Sequence, residues 1–258
     1  MALSEEWEYE MPELTGRVAL VTGATSGIGK AIAARLAADG AFVIVSGRDP
    51  DRGHAVVEAI ASAGGQAEFI KADLADAESA IALAGEALAV KGHVDVLVNN
   101  AGIAVYGSTP EGTQYDFDAL YAVNVKAPYF LVGQIVPSMI ERGSGVVVNV
   151  STMVASFGSS STGIYGSSKA ALNQLTRDWA VEFGPSGVRV NTVAPGPTRT
   201  EGTERVLGPL LDKIAAKSPL GRPATTAEVA AVVAFLAGDD AAMVHGQLIH
   251  VDGGRSVL

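Results

Sequence analysis

Tyr165 and Lys169 stand four residues apart in a stretch of helical period, so both side chains leave one face of a helix about one turn from each other. A tyrosine hydroxyl ordinarily titrates near 10, so acid–base work at neutral pH asks for a shift of about 3 units, or roughly 4 kcal/mol of preferential stabilisation of the phenolate. A neighbouring ammonium such as that of Lys169 is a source of that field. Pairs of this kind arise by chance in many helices. Here the pair follows a strand-like run ending in Asn149-Val150-Ser151 and a Gly- and Ser-rich stretch at 156–163. Ligands of open α/β sheets bind at the carboxyl ends of strands, which is where Ser151 falls and where its hydroxyl can donate to a substrate oxygen.

A second constellation lies near the start of the chain. Thr22-Gly23-Ala24-Thr25-Ser26-Gly27-Ile28-Gly29 follows the first predicted strand and opens the first predicted helix. Gly23 suits the sharp turn out of the strand, Gly27 lets backbone N–H groups approach a pyrophosphate at the positive helix end, and Gly29 allows the helix to lie close on the sheet. Thr25, Ser26 and Ile28 complete this candidate cofactor loop. A glycine pattern alone is a weak signal, because any tight strand-to-helix turn favours glycine.

The second predicted strand ends in Ser46-Gly47-Arg48-Asp49, where an NAD site carries an acid for the ribose 2′-hydroxyl. Gly47 leaves that place empty. Arg48 can pair with a 2′-phosphate through a charge-assisted fork, which points to NADP. NAD is the alternative, since a shift of two residues restores an acid at Asp49, and a solvated turn residue is the other reading of Arg48.

These groups need a frame to hold them. Short β-branched runs at 18–22, 42–46, 67–71, 94–99, 145–150, 188–194 and 247–251 alternate with helical stretches at 28–39, 50–63, 77–91, 113–141, 165–183 and 226–237. That alternation predicts a Rossmann-type, doubly wound α/β fold with a seven-stranded parallel sheet in a single domain. Gly40, Gly64, Gly143 and Gly184 fall where helix C-terminal caps belong, and Thr225 or Thr226 with Glu228, and Asp76, fall where helices start. Residues 1–15 read as an N-terminal extension. The stretch 199–224 breaks the rhythm around one weak amphipathic segment, 204–217, and reads as either a lid over the site or an ordinary connection.

Composition narrows the chemistry. With 48% hydrophobic and 18% charged residues, a chain of 258 residues can build a large core and is not a disordered one. A net charge of −10 is the wrong sign for holding nucleic acid. The chain has no cysteine, which removes thiolate nucleophiles and Cys-ligated metals, and His54, His93, His245 and His250 lack ligand spacing, so no metal site is expected. Residues 1–12, with Glu5, Glu6, Glu8 and Glu10, do not read as an export signal, and apolar runs such as 229–237 are short of a membrane span, so a cytoplasmic protein without a membrane partner is expected.

Taken in order, Thr22-Gly23-x-x-x-Gly27-x-Gly29, Asp73-Leu74, Asn99-Asn100-Ala101-Gly102, Asn124, Ser151, Tyr165-x-x-x-Lys169 and Pro195-Gly196 resemble the short-chain dehydrogenase/reductase family from Val18 to Gly254. The resemblance implies that Tyr165 is the general acid–base, Lys169 its pKa partner and a ribose ligand, Ser151 the carbonyl orienter, and Asn124 part of a water-linked proton relay. It also implies that Asp73 and Leu74 border the adenine. Asn100, Ala101 and Gly102 would line the cofactor, and 195–200, including Pro195, Gly196, Thr198 and Thr200, would wrap the nicotinamide end. A homotetramer is implied as well, with the helices at 113–141 and 165–183 paired across one interface and the segment 252–258 near another. Family members that prefer NADP often carry a basic residue where this chain has Ser26.

The expected function is NADP-preferring hydride transfer between nicotinamide and a carbonyl or secondary alcohol of a small substrate. Two alternatives stand beside it: a 3-oxoacyl-carrier-protein reductase, and a non-catalytic nucleotide-binding regulator on the same scaffold. Ile103-Ala104-Val105-Tyr106 lacks the basic run common in carrier-protein reductases, and the acidic balance disfavours docking to an acidic carrier. Val105, Tyr106, Met153, Val154, Phe157 and the segment 199–211 are candidate pocket residues.

Overall fold

The computed structural model describes residues 14–258, so the acidic stretch 1–12 and its glutamates lie outside the described residues. Of the expected extension only Leu14 and Thr15 are described, and Leu14 is buried in the core. Seven strands form one parallel sheet: β1 Val18–Val21, β2 Phe42–Gly47, β3 Gln66–Lys71, β4 Val96–Asn99, β5 Gly145–Val150, β6 Val188–Pro195 and β7 Leu248–Val251. Their order is β3-β2-β1-β4-β5-β6-β7. The order reverses between β1 and β4, and a crevice opens there at the carboxyl ends of the strands.

The sheet forms because β-branched residues recur with period two and both faces are covered. Val21, Val98 and Val148 point into one apolar cluster, under the helices α1 Gly27–Ala38, α2 Pro50–Ser62 and α9 Thr226–Ala237. Their neighbours Leu20, Leu97 and Val147 point into the other, under α3 Ala77–Lys91, α5 Ala127–Arg142 and α6 Gly163–Phe183. Asp76 caps α3 by accepting from Ser79 N, and Thr225 forms a reciprocal capping box with Glu228 on α9.

Two local expectations are corrected. The single helix at 113–141 is two, α4 Gln114–Tyr121 and α5, joined by a π turn over Ala122–Lys126. Pro128 has no N–H, so it cannot make the i→i−4 bond to the Asn124 carbonyl, and the wider turn accommodates that loss. Gly184 is the C-cap of α6, as expected, and is right-handed, with φ −53°, because the chain continues into a short 3₁₀ turn; Gly187 (φ +81°) takes the left-handed position after it. The amphipathic segment 204–217 is broken at Gly208-Pro209 into α7 Glu201–Leu207 and α8 Leu210–Ala215.

The helical run Gln114–Arg142, 29 residues, is long and apolar enough by length and composition to cross a membrane, and half of its most apolar window is buried inside the protein. Leu131, Ile135 and Met139 of that run belong to the core between the sheet and α3.

Candidate active site

The glycine loop leaves β1 and turns straight into α1. Its end is tied to β4: Thr22 Oγ1 donates to Val98 O (3.2 Å) and accepts from Asn100 N (3.1 Å) and Ala101 N (3.0 Å). Asn100 Nδ2 returns the contact, donating to Thr22 O at 2.8 Å and Gly23 O at 3.1 Å. Asn100 therefore braces the loop with its side chain, where the resemblance had it lining the cofactor. Thr22, half of the same brace, was not singled out for this role.

The loop fits a dinucleotide on the evidence of its own atoms. A Cβ on Gly29 would lie 2.3 Å from Gly23 O, so the close crossing of loop and helix requires glycine there. Gly27 is left-handed at φ +53° and faces Thr200, whose Cγ2 would stand 3.4 Å from a Cβ at position 27. The segment after β6 thus reaches the pyrophosphate position of the loop. Ser26 stands at the N-cap of α1 without a side-chain cap bond, and the first turn carries no acid, so the helix end presents N–H groups and partial positive charge.

Beyond β2, Arg48 is exposed and has no ion pair among the described residues. Asp49 caps α2, accepting from Arg52 N at 3.1 Å, and its carboxylate lies 3.5 Å from the Arg52 guanidinium. The acid that a shifted NAD reading needs is committed to the helix start. Asp73 is exposed and Leu74 buried just past β3.

Ser151 directly follows β5 and is buried; its hydroxyl donates to Lys169 O at 3.4 Å, a long contact. Tyr165 enters on the first turn of α6, and Lys169 follows one turn later, its Nζ donating to Val150 O at 2.8 Å. Gly102 fits beside the ammonium because it has no side chain: a Cβ there would meet Lys169 Nζ at 3.1 Å and Asn124 Oδ1 at 3.2 Å. Asn124 sits in the π turn, with Oδ1 accepting from Ile103 N and Nδ2 donating to Ile103 O and Ser168 Oγ, each at 3.0 Å. Both amide hydrogens are taken, so its side chain is a brace and its carbonyl, relieved by Pro128, is the group left for a relay. Pro128 is the sequence signal that points to this carbonyl.

Burial pushes the Tyr165 hydroxyl up to about 12, the Tyr106 hydroxyl nearby adds to the rise, and a Thr152 hydrogen bond opposes it. Burial also pulls the Lys169 ammonium down to about 8. Desolvation acts on both groups and favours the uncharged form of each.

Tyr106 lies edge-on to Tyr165, ring centres 6.0 Å apart, and is half exposed at the mouth. Its loop is held where Gly107 N donates to Ser161 O at 3.0 Å. Met153 is buried beneath, and Phe157 lies under the Arg255 guanidinium at 5.2 Å. Pro195 closes β6, Gly196 N donates to Val251 O (2.9 Å), and Thr198 is buried with Oγ1 donating to Gly196 O (3.0 Å). Residues 199–224 then leave and return to one place, where Thr198 and Ala224 form a parallel bridge. Thr200 caps α7, which has no buried residue, whereas α8 buries Leu211 and Ala215. Among the described residues no cluster of His, Asp and Glu is placed to hold a metal ion.

Residues 23–256 match a family model described as enoyl-(acyl carrier protein) reductase. The chain is 41% identical over 250 residues to an uncharacterized oxidoreductase of Thermotoga maritima, covering 94% of this chain and 98% of that one. It is 35% identical to the 3-oxoacyl-[acyl-carrier-protein] reductase of the same organism, over 93% of this chain and 98% of the relative. Among solved structures, a provisionally assigned NAD(P)-dependent gluconate 5-dehydrogenase from Beutenbergia cavernae, with NADP bound at low occupancy, superposes with TM-score 0.91 at 40% identity, covering 95% and 99% of the two chains. Parallel sheet, glycine loop, buried lysine and these relatives agree: the chain belongs to the short-chain dehydrogenase/reductase family, oxidoreductases acting on CH–OH and C=O groups.

Proposed function

We propose that this chain reduces the carbonyl of a small free substrate with NADPH, Tyr165 giving its proton to the carbonyl oxygen as the carbon takes hydride. The observation that carries the reading is the placing of Ser151 just past β5 against Lys169, with Tyr165 one turn earlier on α6, beside a glycine loop with an uncapped helix end. The nicotinamide supplies the hydride and, when oxidised, a positive charge. Arg48 is the group for a 2′-phosphate, and the Beutenbergia structure with NADP supports that choice.

Each residue then has a task set by its contacts. Tyr165, held protonated by burial, arrives loaded for the reductive direction, and a developing alkoxide is a stronger base than the phenolate it leaves. Ser151 holds its own partner at 3.4 Å and re-aims to a substrate oxygen at small cost. Lys169 uses one N–H on Val150 O, which leaves two for ribose hydroxyls. Asn124 braces Ile103 and Ser168 and offers its carbonyl to a relay water.

Tyr106, Met153 and Phe157 give the mouth an apolar, aromatic wall suited to a compact substrate. Arg199 is paired with Glu204 and Asp212, and Arg222 with Glu228, so neither offers an acidic carrier a free cation. For assembly we propose a homotetramer. Its support is an apolar groove of about 540 Å³ between α5 and α6, lined by Tyr121, Val125, Tyr129, Phe130 and Leu175, on the face expected to pair. Mass photometry is expected to read about four chains, and a stable monomer refutes the assembly.

The decisive assay is oxidation of NADPH, with NADH in parallel, against aliphatic, aromatic, sugar-like, 3-oxoacyl and enoyl substrates. Turnover is expected on free carbonyls. Preference for acyl thioesters moves the assignment to the carrier-protein reading, and binding without turnover on any class moves it to the regulator. Tyr165→Phe is expected to lower kcat by roughly 10²–10⁴-fold while leaving the NADP dissociation constant within about threefold; retained turnover removes Tyr165 from its role. Arg48→Ala is expected to weaken NADP by roughly 10- to 100-fold and leave NAD nearly unchanged, and an equal effect on both refutes the phosphate contact.

The buried lysine also predicts a pH signature. Its pKa falls from 10.5 to about 8 on folding, so between those values the unfolded chain holds a proton that the folded chain does not. Stability therefore rises with pH across that window, and at pH 7 the charged, buried ammonium costs about 3 kcal/mol. Lys169→Met is expected to be more stable than the parent by about 1–3 kcal/mol at pH 7, with the advantage shrinking toward pH 10. Urea unfolding at both values checks this, and a difference independent of pH refutes it.

A further inference from the structure

The end of β2 shows why this chain carries no acid at the ribose position. Gly47 is buried, and what forbids a side chain there is space. A Cβ built on Gly47 would lie 2.5 Å from Thr25 Cγ2, 3.0 Å from Thr25 Oγ1 and 3.3 Å from Thr25 Cβ. Both branches of the threonine face the glycine. A β-branched side chain has two heavy atoms on three positions of Cβ, so turning χ1 can empty the position at 2.5 Å only by keeping a heavy atom at the one at 3.0 Å, still tighter than ordinary contact. Thr25 cannot back away either, because the adjacent Ala24 N donates to Ser46 O at 2.8 Å and ties the glycine loop to the last turn of β2. Asp49, the other acid in reach, is held by the start of α2.

We propose that Thr25 is a specificity-determining residue for the cofactor: it excludes every side chain, and an aspartate above all, from position 47, and so leaves the edge of the adenosine ribose to Arg48. The choice against a bare 2′-hydroxyl is then steric as well as electrostatic. Arg48 attracts a 2′-phosphate, and Thr25 blocks the carboxylate that would repel it and bind the hydroxyl instead. This rests on the reading that the glycine loop holds NAD(P), and it goes further by making positions 25 and 47 one coupled unit.

The test compares the parent, Thr25→Ser, Gly47→Asp and the double variant in the full chain. Dissociation constants for NADP+ and NAD+ are taken by calorimetry, and melting temperatures are taken without nucleotide. Serine keeps the hydroxyl, and its single branch can turn away. The parent and Thr25→Ser are expected to hold NADP+ the tighter. Gly47→Asp alone is expected to melt several degrees lower and to weaken both nucleotides by at least about tenfold. The double variant is expected to recover most of the lost melting temperature and to bind NAD+ at least about tenfold tighter than NADP+.

A single Gly47→Asp variant that melts like the parent and already prefers NAD+ overturns the proposal, as does a double variant no more stable than the single one. If Gly47→Asp does not fold, Gly47→Ala made both in the parent and in the Thr25→Ser variant gives the same steric coupling from melting temperatures alone, and equal losses in both backgrounds refute it. A parent that binds neither nucleotide, or NAD+ more tightly, refutes the cofactor reading itself, whatever the melting temperatures show.

Discussion

One buried ammonium organises the reactive edge of this protein. Lys169 is almost fully enclosed, and a charge so placed is costly unless its surroundings are fixed in advance. Those surroundings come from four separate pieces of chain: the last carbonyls of β5, the opening of α6, the glycine at 102 beyond β4, and the π turn that holds Asn124. Each has to sit close to its present place for the ammonium to be accepted. The parallel register of β4 against β5 and of β5 against β6 sets those positions, so the core beneath the site serves catalysis by keeping strand ends level.

The same rigidity links the two halves of the site. Thr22 and Asn100 lash the end of β1 to the end of β4 with five side-chain hydrogen bonds at the sheet's reversal point, which ties the glycine loop to the wall beside Lys169. Further in, Asn99 donates to Asn149, Asn149 to Thr176, and Thr176 meets Thr192, a buried polar chain that joins β4, β5, α6 and β6 below the reacting groups. Such a chain is stabilising only when its members are aligned, and it therefore favours one arrangement over looser ones. Proton transfer and hydride transfer both need that kind of fixed geometry.

Much of this was legible in the residues. Central parallel strands are covered on both faces, so they read as plain β-branched runs, and 145–150 was placed to the residue. Ser151, Tyr165 and Lys169 stood out because order along the chain and strand-end position restrict chance matches, whereas Asn124 came only with the family resemblance. Other features were hidden for physical reasons. Helical period runs through 113–141, and the π turn within it answers to the tertiary site; Pro128 is the residue that marks it. The high pKa of Tyr165 could not be read, because desolvation depends on what folds over a residue and not on its neighbours in sequence. The bracing task of the Asn100 side chain was hidden as well, since a turn motif does not say which way an amide points.

The bridge between Thr198 and Ala224 bears on how such a protein can diversify. Because the excursion between them begins and ends at one paired position, its contour can lengthen, shorten or change composition without altering the register of β6 or the approach to α9. Loop closure grows only slowly more costly with length, so the thermodynamic toll of such changes is small. The fixed sheet edge and the replaceable excursion therefore answer to different selective pressures: one preserves the reaction, and the other is open to new molecules on which to perform it.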